Sequence, residues 1–244
     1  MNTESALRDS IVEAGRRLYA RGYLAGADGN VSARLGARRL LVTPSGVCKG
    51  FMKPADLVMT DMSGGPVSGN GAPSSELKMH LLIYAARPDV AAVVHAHPPV
   101  VTGYAAAGLK PDSPVIAEAI LTLGKIALAP YGTPGTAEVT DGMRAFVNDC
   151  DAILMANHGA VTCGTDVEKA LFKMETLEHI AEINLVTEVL GRKSEITGGN
   201  LKKLLALRAA LAKKTAAPPD GQGRLASLIA GTIAEVLSEH ERRK

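Results

Sequence analysis

Helical and strand-like hydrophobic periods alternate along the chain, and this alternation restricts the possible folds more than any other feature of the sequence. Apolar residues recur at helical spacing over residues 4–21 and 166–190. Strand signals occur in four places: residues 31–34, 39–43, 90–97 and 151–156. Because helices and strands that alternate must cover each other's apolar surfaces, the pattern predicts a layered α/β domain.

The composition allows a sizeable core but limits what that core is made of. Hydrophobic residues make up 46% of the 244 residues, whereas aromatic residues make up 3% and Trp is absent. The core is therefore expected to consist mainly of Ala, Val, Leu and Ile. We assign residues 1–212 to one large domain. Residues 213–223, with Pro218 and Pro219, predict a linker, and residues 224–244 predict a C-terminal amphipathic helix.

Charge, cysteine content and hydropathy argue against several classes of protein. The 27 basic and 25 acidic residues are evenly spread, so no basic stripe indicates nucleic-acid binding. The three cysteines form no C-x-x-C pair, which favours a reducing cytoplasm over a disulfide framework. No run approaches the roughly 18–20 apolar residues that a membrane span requires. The sequence thus predicts a soluble cytoplasmic protein with no nucleic-acid or membrane partner.

His95-Ala96-His97 is the sharpest local motif, since side chains two apart on a strand project to the same face. Two such imidazoles can converge on one zinc-type ion. A third histidine, His158, follows another apolar strand in Asn157-His158-Gly159. Three protein ligands with an open position are typical of a catalytic metal site. Each histidine alone could instead be a half-buried or turn residue, but together they predict one metal ion per chain.

Glu76 begins a predicted helix directly after Ser74 and Ser75. Free N–H groups at a helix start bind anions, so the serines could hold a phosphate while Glu76 is a metal ligand or a base. Simple helix capping explains the same residues. Two further turns allow the same two interpretations: their backbone amides could bind an anion, or they could be ordinary turns with no ligand. These turns contain Gly29, Asn30, Ser45 and Gly46.

Five motifs in this order resemble the class II aldolase/adducin family, and within it the L-fuculose-1-phosphate aldolase branch. They are Gly29-Asn30-Val31-Ser32, Thr43-Pro44-Ser45-Gly46, Pro73-Ser74-Ser75-Glu76, His95-Ala96-His97-Pro98 and Asn157-His158-Gly159. The resemblance implies a three-layer α/β/α fold with a central, largely antiparallel sheet. It implies that His95, His97 and His158 bind Zn²⁺ (or Mn²⁺, Co²⁺ or Fe²⁺), with Glu76 as a further ligand or the acid/base. It also implies a phosphate site formed by Gly29, Asn30, Ser45, Gly46, Ser74 and Ser75, and a homotetramer with active sites at subunit interfaces.

The expected substrate is a small phosphorylated sugar, and the expected reaction is reversible cleavage of a ketose 1-phosphate to dihydroxyacetone phosphate and an aldehyde. Ala27 replaces a threonine common in fuculose aldolases, and Glu118 aligns with their aldehyde-protonating tyrosine. Glu118 is therefore a second candidate catalytic residue. Methylthioribulose-1-phosphate dehydratases carry glutamate there, so a lyase of that type is the alternative. Glu76 argues against the family's epimerases, which usually have aspartate, and the retained histidines argue against a non-enzymatic adducin-like scaffold.

Overall fold

A computed structural model describes residues 3–215, in which helices and strands alternate as predicted. The helices are α1 (Glu4–Ala20), α2 (Leu77–Ala86), α3 (Pro99–Ala106), α4 (Ala117–Thr122), α5 (Ala137–Met143), α6 (Val167–Val189) and α7 (Gly198–Thr215). The strands are β1 (Asn30–Leu35), β2 (Arg39–Val42), β3 (Val58–Asp61), β4 (Pro66–Ser68), β5 (Ala92–Ala96), β6 (Ile126–Ala129), β7 (Ala152–Met155) and β8 (Gly159–Gly164). Two 3₁₀ turns, Lys49–Phe51 and Pro54–Asp56, precede β3.

The eight strands form one sheet in the order β4-β3-β2-β1-β5-β8-β7-β6. Every neighbouring pair is antiparallel except β6 and β7, which are parallel. This confirms the predicted central, largely antiparallel sheet. The two strands that precede the histidine motifs, β5 and β7, each pair with β8, so the motifs lie close together in the sheet.

Helices cover both faces of the sheet, which confirms the three-layer α/β/α arrangement. Val94 faces the apolar layer that contains α1, α3 and α6, whereas Val93 faces the layer that contains α2 and α5. Neighbouring strand residues point to opposite faces, so a buried strand such as β5 is apolar at almost every position. As expected from the composition, Ala, Val, Leu and Ile dominate these layers, with Met filling much of the rest.

The two long predicted helices form with the expected buried faces. Thr3 caps α1 by accepting the Ala6 N–H at 3.3 Å, and Asp166 caps α6 by accepting the Lys169 N–H at 2.7 Å. A side-chain oxygen at this position satisfies one of the amides that a helix start leaves free. The apolar residues whose helical spacing predicts α1 and α6 are all buried: Leu7, Ile11, Ala14, Leu18, Val167, Leu171, Met174, Leu177 and Ala181.

Apolar spacing after Glu76 predicts a helix with Leu77, Leu81, Tyr84 and Ala85 on its buried face, and this prediction is partly wrong. Leu77 and Tyr84 are buried as expected, but Leu81 is half-buried and Ala85 is exposed. In their place His80 occupies the core, because its Nδ1 lies 2.7 Å from the hydroxyl of Ser32, which also contacts the Tyr84 hydroxyl at 2.8 Å. A polar side chain that is hydrogen-bonded can be buried at moderate cost, and hydrophobic periodicity alone does not reveal it.

The C-terminal predictions fall mostly outside the described residues. The chain divides into two units, residues 1–205 and 206–244. Helix α7, which the sequence analysis did not predict, continues to Thr215, so the first three residues of the predicted linker are helical. The domain boundary at residue 212, the rest of the linker and the helix at residues 224–244 stay predictions. Between residues 3 and 215, no helix has both the length and the hydropathy needed to cross a membrane.

Candidate active site

The three predicted metal-binding histidines meet at one end of the paired strands β5 and β8. His95 lies in β5 and His97 follows that strand, while His158 lies in the tight turn between β7 and β8. Pairing of Ala96 with Ala160 places this turn beside the end of β5. Asn157 has a φ of 56°, a left-handed conformation that Asn tolerates better than most residues. One ring nitrogen from each histidine lies within 4.8 Å of the others.

The orientation of His95 is fixed by the backbone of the neighbouring strand. Its ring is fully buried, and its Nδ1 lies 2.9 Å from the carbonyl oxygen of Ala160, which can only accept a hydrogen bond. A neutral His95 therefore carries its lone pair on Nε2. That atom is 3.1 Å from His97 Nε2 and 3.2 Å from a carboxylate oxygen of Glu76. Nitrogen and oxygen atoms with lone pairs thus lie close together around one point. A cation or a proton at that point would offset their mutual repulsion.

Glu76 reaches this point from the start of α2. Its Oε1 is 3.0 Å from His158 Nε2, and its Oε2 accepts a hydrogen bond from the Asn30 side-chain amide at 3.0 Å. Burial by itself would raise the pKa of Glu76, but the contacts with His158 and His95 outweigh burial and lower it. A carboxylate held ionised among three imidazoles can be a metal ligand or a base.

His97 is the most solvent-accessible member of the cluster. Its Nδ1 is 3.5 Å from a carboxylate oxygen of Asp28, and its backbone N–H donates to the Tyr23 carbonyl at 2.9 Å. Burial, followed by the proximity of His95 and His158, lowers the pKa of His97 to about 4. The imidazole is therefore neutral at physiological pH, as a metal ligand must be. The sequence analysis did not identify Asp28.

Two glycines allow the loops to approach the histidines closely. Gly29 has a φ of +66°, and a Cβ on it would lie 2.7 Å from the carbonyl oxygen of His95. A Cβ on Gly159 would lie 2.7 Å from the carbonyl oxygen of Ala96 and would overlap the His97 ring. Since real Cβ atoms do not approach so closely, both positions require glycine for packing as well as for turning.

The predicted phosphate-binding residues lie on three loops that hydrogen bonds connect. Ser45 N–H donates to the Ala72 carbonyl at 2.9 Å, and Ser74 N–H donates to the Thr43 carbonyl at 3.2 Å. The Thr43 hydroxyl in turn accepts the Val31 N–H at 3.2 Å, which connects the loop containing Gly29 and Asn30. Ser45, Gly46 and Ser75 are exposed, whereas Ser74 is buried and its hydroxyl accepts the Glu76 N–H at 3.3 Å. Asn30 is buried and contacts Glu76 rather than the open loops.

Glu118 does not belong to the histidine cluster formed by the same chain. It is exposed on α4 and lines an open cavity of about 790 Å³. None of the three histidines, which all belong to the described residues, is among the residues lining this cavity. Its other lining residues are Arg21, Tyr23, Thr122, Phe172, Glu175, Thr176, His179 and Glu182. Glu118 is therefore not grouped with the predicted metal ligands of its own chain.

Three buried polar residues near the site were missed by sequence reasoning. His80 follows Glu76 by four residues, so both lie on one face of α2, and this spacing is a signal that could have found it. Glu178 similarly follows the buried Met174 by four residues on α6, and its carboxylate accepts the N–H groups of Val100 and Val101 at 2.9 and 2.8 Å. Lys49 is 2% exposed, and no sequence pattern distinguishes it from a surface lysine.

The cluster fits a zinc-type cation. Its donor set is three imidazoles and one carboxylate, which zinc accepts, and a backbone carbonyl orients His95 as outer-shell partners orient metal-bound histidines. The Nδ1 of His158 and the Oδ1 of Asn30 are buried without a hydrogen-bond partner in the described structure. His95, His97 and His158 would hold the ion, with Glu76 close enough to complete or leave its coordination. Such an ion would provide Lewis-acid chemistry.

A largely antiparallel sheet between helix layers, with three histidines and a glutamate at the end of its central strands, defines the class of protein. The chain matches the Class II Aldolase and Adducin N-terminal domain over residues 9–185, and it belongs to this family. The resemblance found in the five motifs is thereby confirmed.

The relatives of this chain include more than one activity. It is 38% identical over 171 residues to an L-fuculose phosphate aldolase from Methanococcus maripaludis, covering 70% of this chain and 92% of the relative. It is 34% identical over 185 residues to a 3-oxo-tetronate 4-phosphate decarboxylase from Haemophilus influenzae, covering 74% and 88%. The crystal structure of YgbL from Klebsiella pneumoniae matches with a TM-score of 0.78 at 30% identity, covering 84% of this chain and 100% of YgbL.

Proposed function

We propose that this protein is a zinc-dependent aldolase that reversibly cleaves a ketose 1-phosphate to dihydroxyacetone phosphate and an aldehyde. The observation that carries the proposal is the convergence of His95, His97, His158 and Glu76 on one point. Substrates of the fuculose, 5-deoxyribulose and methylthioribulose type fit this chemistry. The relative from Methanococcus maripaludis, an L-fuculose phosphate aldolase, supports it.

In the proposed reaction, the bond between C3 and C4 of the ketose breaks and its electrons pass to C3, giving the enediolate of dihydroxyacetone phosphate. The proton of the C4 hydroxyl leaves as the aldehyde forms. Glu76, once it has taken up a proton from solvent, delivers that proton to C3, which completes the ketone product. A carboxylate positioned by Asn30 at 3.0 Å is suited to this transfer, and such acid–base help contributes roughly 10²–10⁴-fold to a rate.

The phosphate group would be held by the three connected loops. Their exposed members, Ser45, Gly46 and Ser75, offer hydroxyl groups and backbone amides near the start of α2. Since backbone N–H groups at turns and helix starts favour anions, these loops can position the phosphate and fix the carbonyl end of the sugar. We include Gly29, Asn30 and Ser74 in the same proposed phosphate site.

The aldehyde end of the site is proposed to be completed by a second subunit. Glu118 is exposed on α4, so it is available to a neighbouring copy in a homotetramer. There it would act on the C4 oxygen in place of the tyrosine of fuculose aldolases. The proton that leaves the C4 hydroxyl during cleavage would pass to this carboxylate.

A second candidate function is decarboxylation of a 3-oxo-tetronate 4-phosphate, the activity of the relative from Haemophilus influenzae. Loss of CO₂ from this substrate gives the same enediolate of dihydroxyacetone phosphate, which a proton at the same carbon completes. The phosphate loops, the cation site and Glu76 would serve both reactions equally. Aldol cleavage must remove the proton of the ketose C4 hydroxyl, whereas decarboxylation has no such proton to remove. It therefore does not need the tyrosine of fuculose aldolases, whose position is occupied by Glu118 in this chain.

A substrate screen on metal-loaded protein tests the proposal. Ketose 1-phosphates and 3-oxo-tetronate 4-phosphate would be incubated separately, with dihydroxyacetone phosphate, aldehyde and CO₂ measured. Dihydroxyacetone phosphate with an equimolar aldehyde supports the aldolase, and dihydroxyacetone phosphate with CO₂ supports the decarboxylase. Loss of water from methylthioribulose 1-phosphate, without dihydroxyacetone phosphate, would identify a dehydratase and overturn both. The variant Glu76→Gln is the matched control for each reaction.

A further inference from the structure

The proposed phosphate site lacks a positive charge among its assigned members. Gly29, Asn30, Ser45, Gly46, Ser74 and Ser75 are all neutral. A phosphate monoester carries a charge of about −1.5 to −2 at neutral pH. Charge-assisted hydrogen bonds are the strong ones in anion recognition, so a cationic donor would strengthen a site whose other donors are neutral.

A buried lysine lies beside these loops. The side chain of Lys49 is only 2% exposed, and its Nζ donates a hydrogen bond to the carbonyl oxygen of Ala27 at 2.6 Å. Ala27 precedes Gly29 and Asn30 by two and three residues, so the ammonium group lies at one of the three loops. Ser45 and Gly46 lie in the same connecting segment as Lys49, shortly before it.

The burial of Lys49 accompanies close packing of its backbone against α1. Lys49 begins the 3₁₀ turn that packs on α1, where a Cβ on Gly15 would lie 2.6 Å from the Lys49 carbonyl oxygen. The backbone of Lys49 packs against α1, and its buried side chain reaches the carbonyl oxygen of Ala27. Glycine at position 15 is what allows the two segments to approach this closely.

The ammonium group has no carboxylate partner within salt-bridge distance in the part of the chain that the structure describes. Within the described residues its one hydrogen bond goes to a neutral carbonyl, although an ammonium group has three hydrogens to donate. Burial lowers the pKa of Lys49, while the nearby carboxylates of Asp28 and Glu76 act against this. Because an unpaired buried charge is costly, such a group is normally matched by an anion.

We propose that Lys49 is the cationic member of the phosphate site, and that the anion matching its buried charge is the phosphate group of the sugar phosphate. This assignment rests on the proposed function for the identity of the substrate, but it concerns any phosphate monoester that enters the site. Lys49 donates to a phosphate oxygen from below the loop at Ala27, while the serines and backbone amides donate from the neighbouring loops. Its role is binding and positioning; it takes no part in breaking the carbon–carbon bond.

Inorganic phosphate binding to metal-loaded protein tests this assignment without turnover. Lys49→Met keeps the apolar stem and removes the charge, while Lys53→Met removes the charge of an exposed lysine four residues further on. We expect Lys49→Met to weaken phosphate binding about tenfold or more, as expected for loss of one charge-assisted hydrogen bond. Metal content should be unchanged, and Lys53→Met should match the wild type. Phosphate affinity within about twofold of the wild type in Lys49→Met would overturn the assignment.

Two further measurements cover the case in which Lys49→Met does not fold. Lys49→Arg keeps the charge and should retain most of the phosphate affinity of the wild type; a tenfold or larger loss in folded, metal-loaded Lys49→Arg would contradict the proposal. In wild-type protein labelled with ¹³C at the lysine ε carbons, phosphate should shift a resonance that is missing from the Lys49→Arg spectrum. A spectrum in which phosphate leaves that resonance in place counts against the proposal.

The two proposals fail in different ways. Phosphate binding that depends on Lys49, with no turnover of any substrate in the screen, would contradict the proposed function alone. Turnover with an unchanged KM and unchanged phosphate affinity in Lys49→Met would contradict the role of Lys49 alone. Wild-type protein that does not bind phosphate at millimolar concentrations also overturns the role of Lys49.

Discussion

His95 donates its Nδ1 hydrogen to the carbonyl oxygen of Ala160 on the neighbouring strand, at a distance of 2.9 Å. The two residues lie on β5 and β8, which form one antiparallel pair. The direction of the His95 lone pair is therefore set by the register of the sheet and not by a flexible loop. The orientation of the ring is thus set before any ion enters. Outer-shell hydrogen bonds of this kind also raise the affinity of a histidine for its metal.

Replacing any one of the three histidines should sharply reduce bound metal. We expect about one zinc-type ion per chain in the wild type, with three protein ligands. His95→Ala, His97→Ala and His158→Ala should each weaken binding by more than the roughly 10–100-fold that loss of an outer-shell partner costs. Elemental analysis after gel filtration measures this, and His179→Ala, an exposed histidine on α6, is the control. Full metal retention in all three variants would refute the assignment of the site.

Glu76→Gln should preserve the fold and phosphate binding but lose most turnover. Glutamine has nearly the same volume, yet it cannot take up a proton, and acid–base catalysis of this kind is worth about 10²–10⁴-fold. The measurement is kcat at saturating substrate, with inorganic phosphate inhibition recorded in parallel. A kcat near that of the wild type would mean that another residue carries the proton.

Glu118→Gln should lower kcat strongly while leaving metal content and phosphate inhibition unchanged. The reason is that Glu118 is exposed and lies outside the histidine cluster of its own chain, and we propose that it completes the site of a neighbouring subunit. Glu182→Gln, an exposed glutamate that lines the same cavity, is the matched control. If kcat stays within about twofold, equivalent to roughly 0.4 kcal/mol of barrier, Glu118 has no part in the chemistry.

Glu178 should give the folding stability a pH dependence of known sign. Burial raises the pKa of its carboxyl above the ordinary 4.5, although the N–H groups of Val100 and Val101 act against this. The folded protein then binds the proton more tightly than the unfolded chain, so the contribution is present below the ordinary pKa and is lost as pH rises through the folded value. Wild-type protein should therefore lose stability relative to Glu178→Gln as pH rises above about 4.5.

Urea unfolding of metal-free protein at several pH values measures this difference. Subtracting the Glu178→Gln curve removes the contributions of all other titrating groups, provided that the substitution leaves them undisturbed. Glu168→Gln, an exposed glutamate near the start of α6, should show no such trend. A difference that does not vary with pH would show that the carboxyl of Glu178 has similar proton affinity in both states.

The parts of the fold that were predictable are those in which one physical signal dominates. Helices α1 and α6 have a continuous apolar face and a side-chain cap, and β5 and β7 are short apolar runs that end at turn residues. Strand β8 was not predicted, because Gly159–Gly164 is buried along its whole length and therefore shows no alternation. Its two terminal glycines indicate a turn more strongly than a strand.

The site was predictable to the extent that its chemistry lies in residue type and spacing. His95 and His97 are two apart on a strand, and His158 ends another, so their convergence needed only that β5 and β7 lie near each other. By contrast, the burial of Lys49 depends on how close its backbone comes to α1, which no local pattern encodes. Glu178 and His80 are polar residues on buried helix faces. A polar residue interrupts the apolar spacing from which a buried face is predicted, so hydrophobic periodicity does not predict its burial.

The side chains that surround the proposed cation site come from three distant stretches of the chain: the start of α2, the end of β5 and the turn between β7 and β8. An ion bound there would act as a cross-link through the middle of the sheet. Binding only to the folded state would stabilise it by about 4 kcal/mol at a free ion concentration 1,000 times Kd. Resistance to heat and proteolysis would then depend on metal supply, and removal of the ion would weaken the central strands of the sheet before its edges.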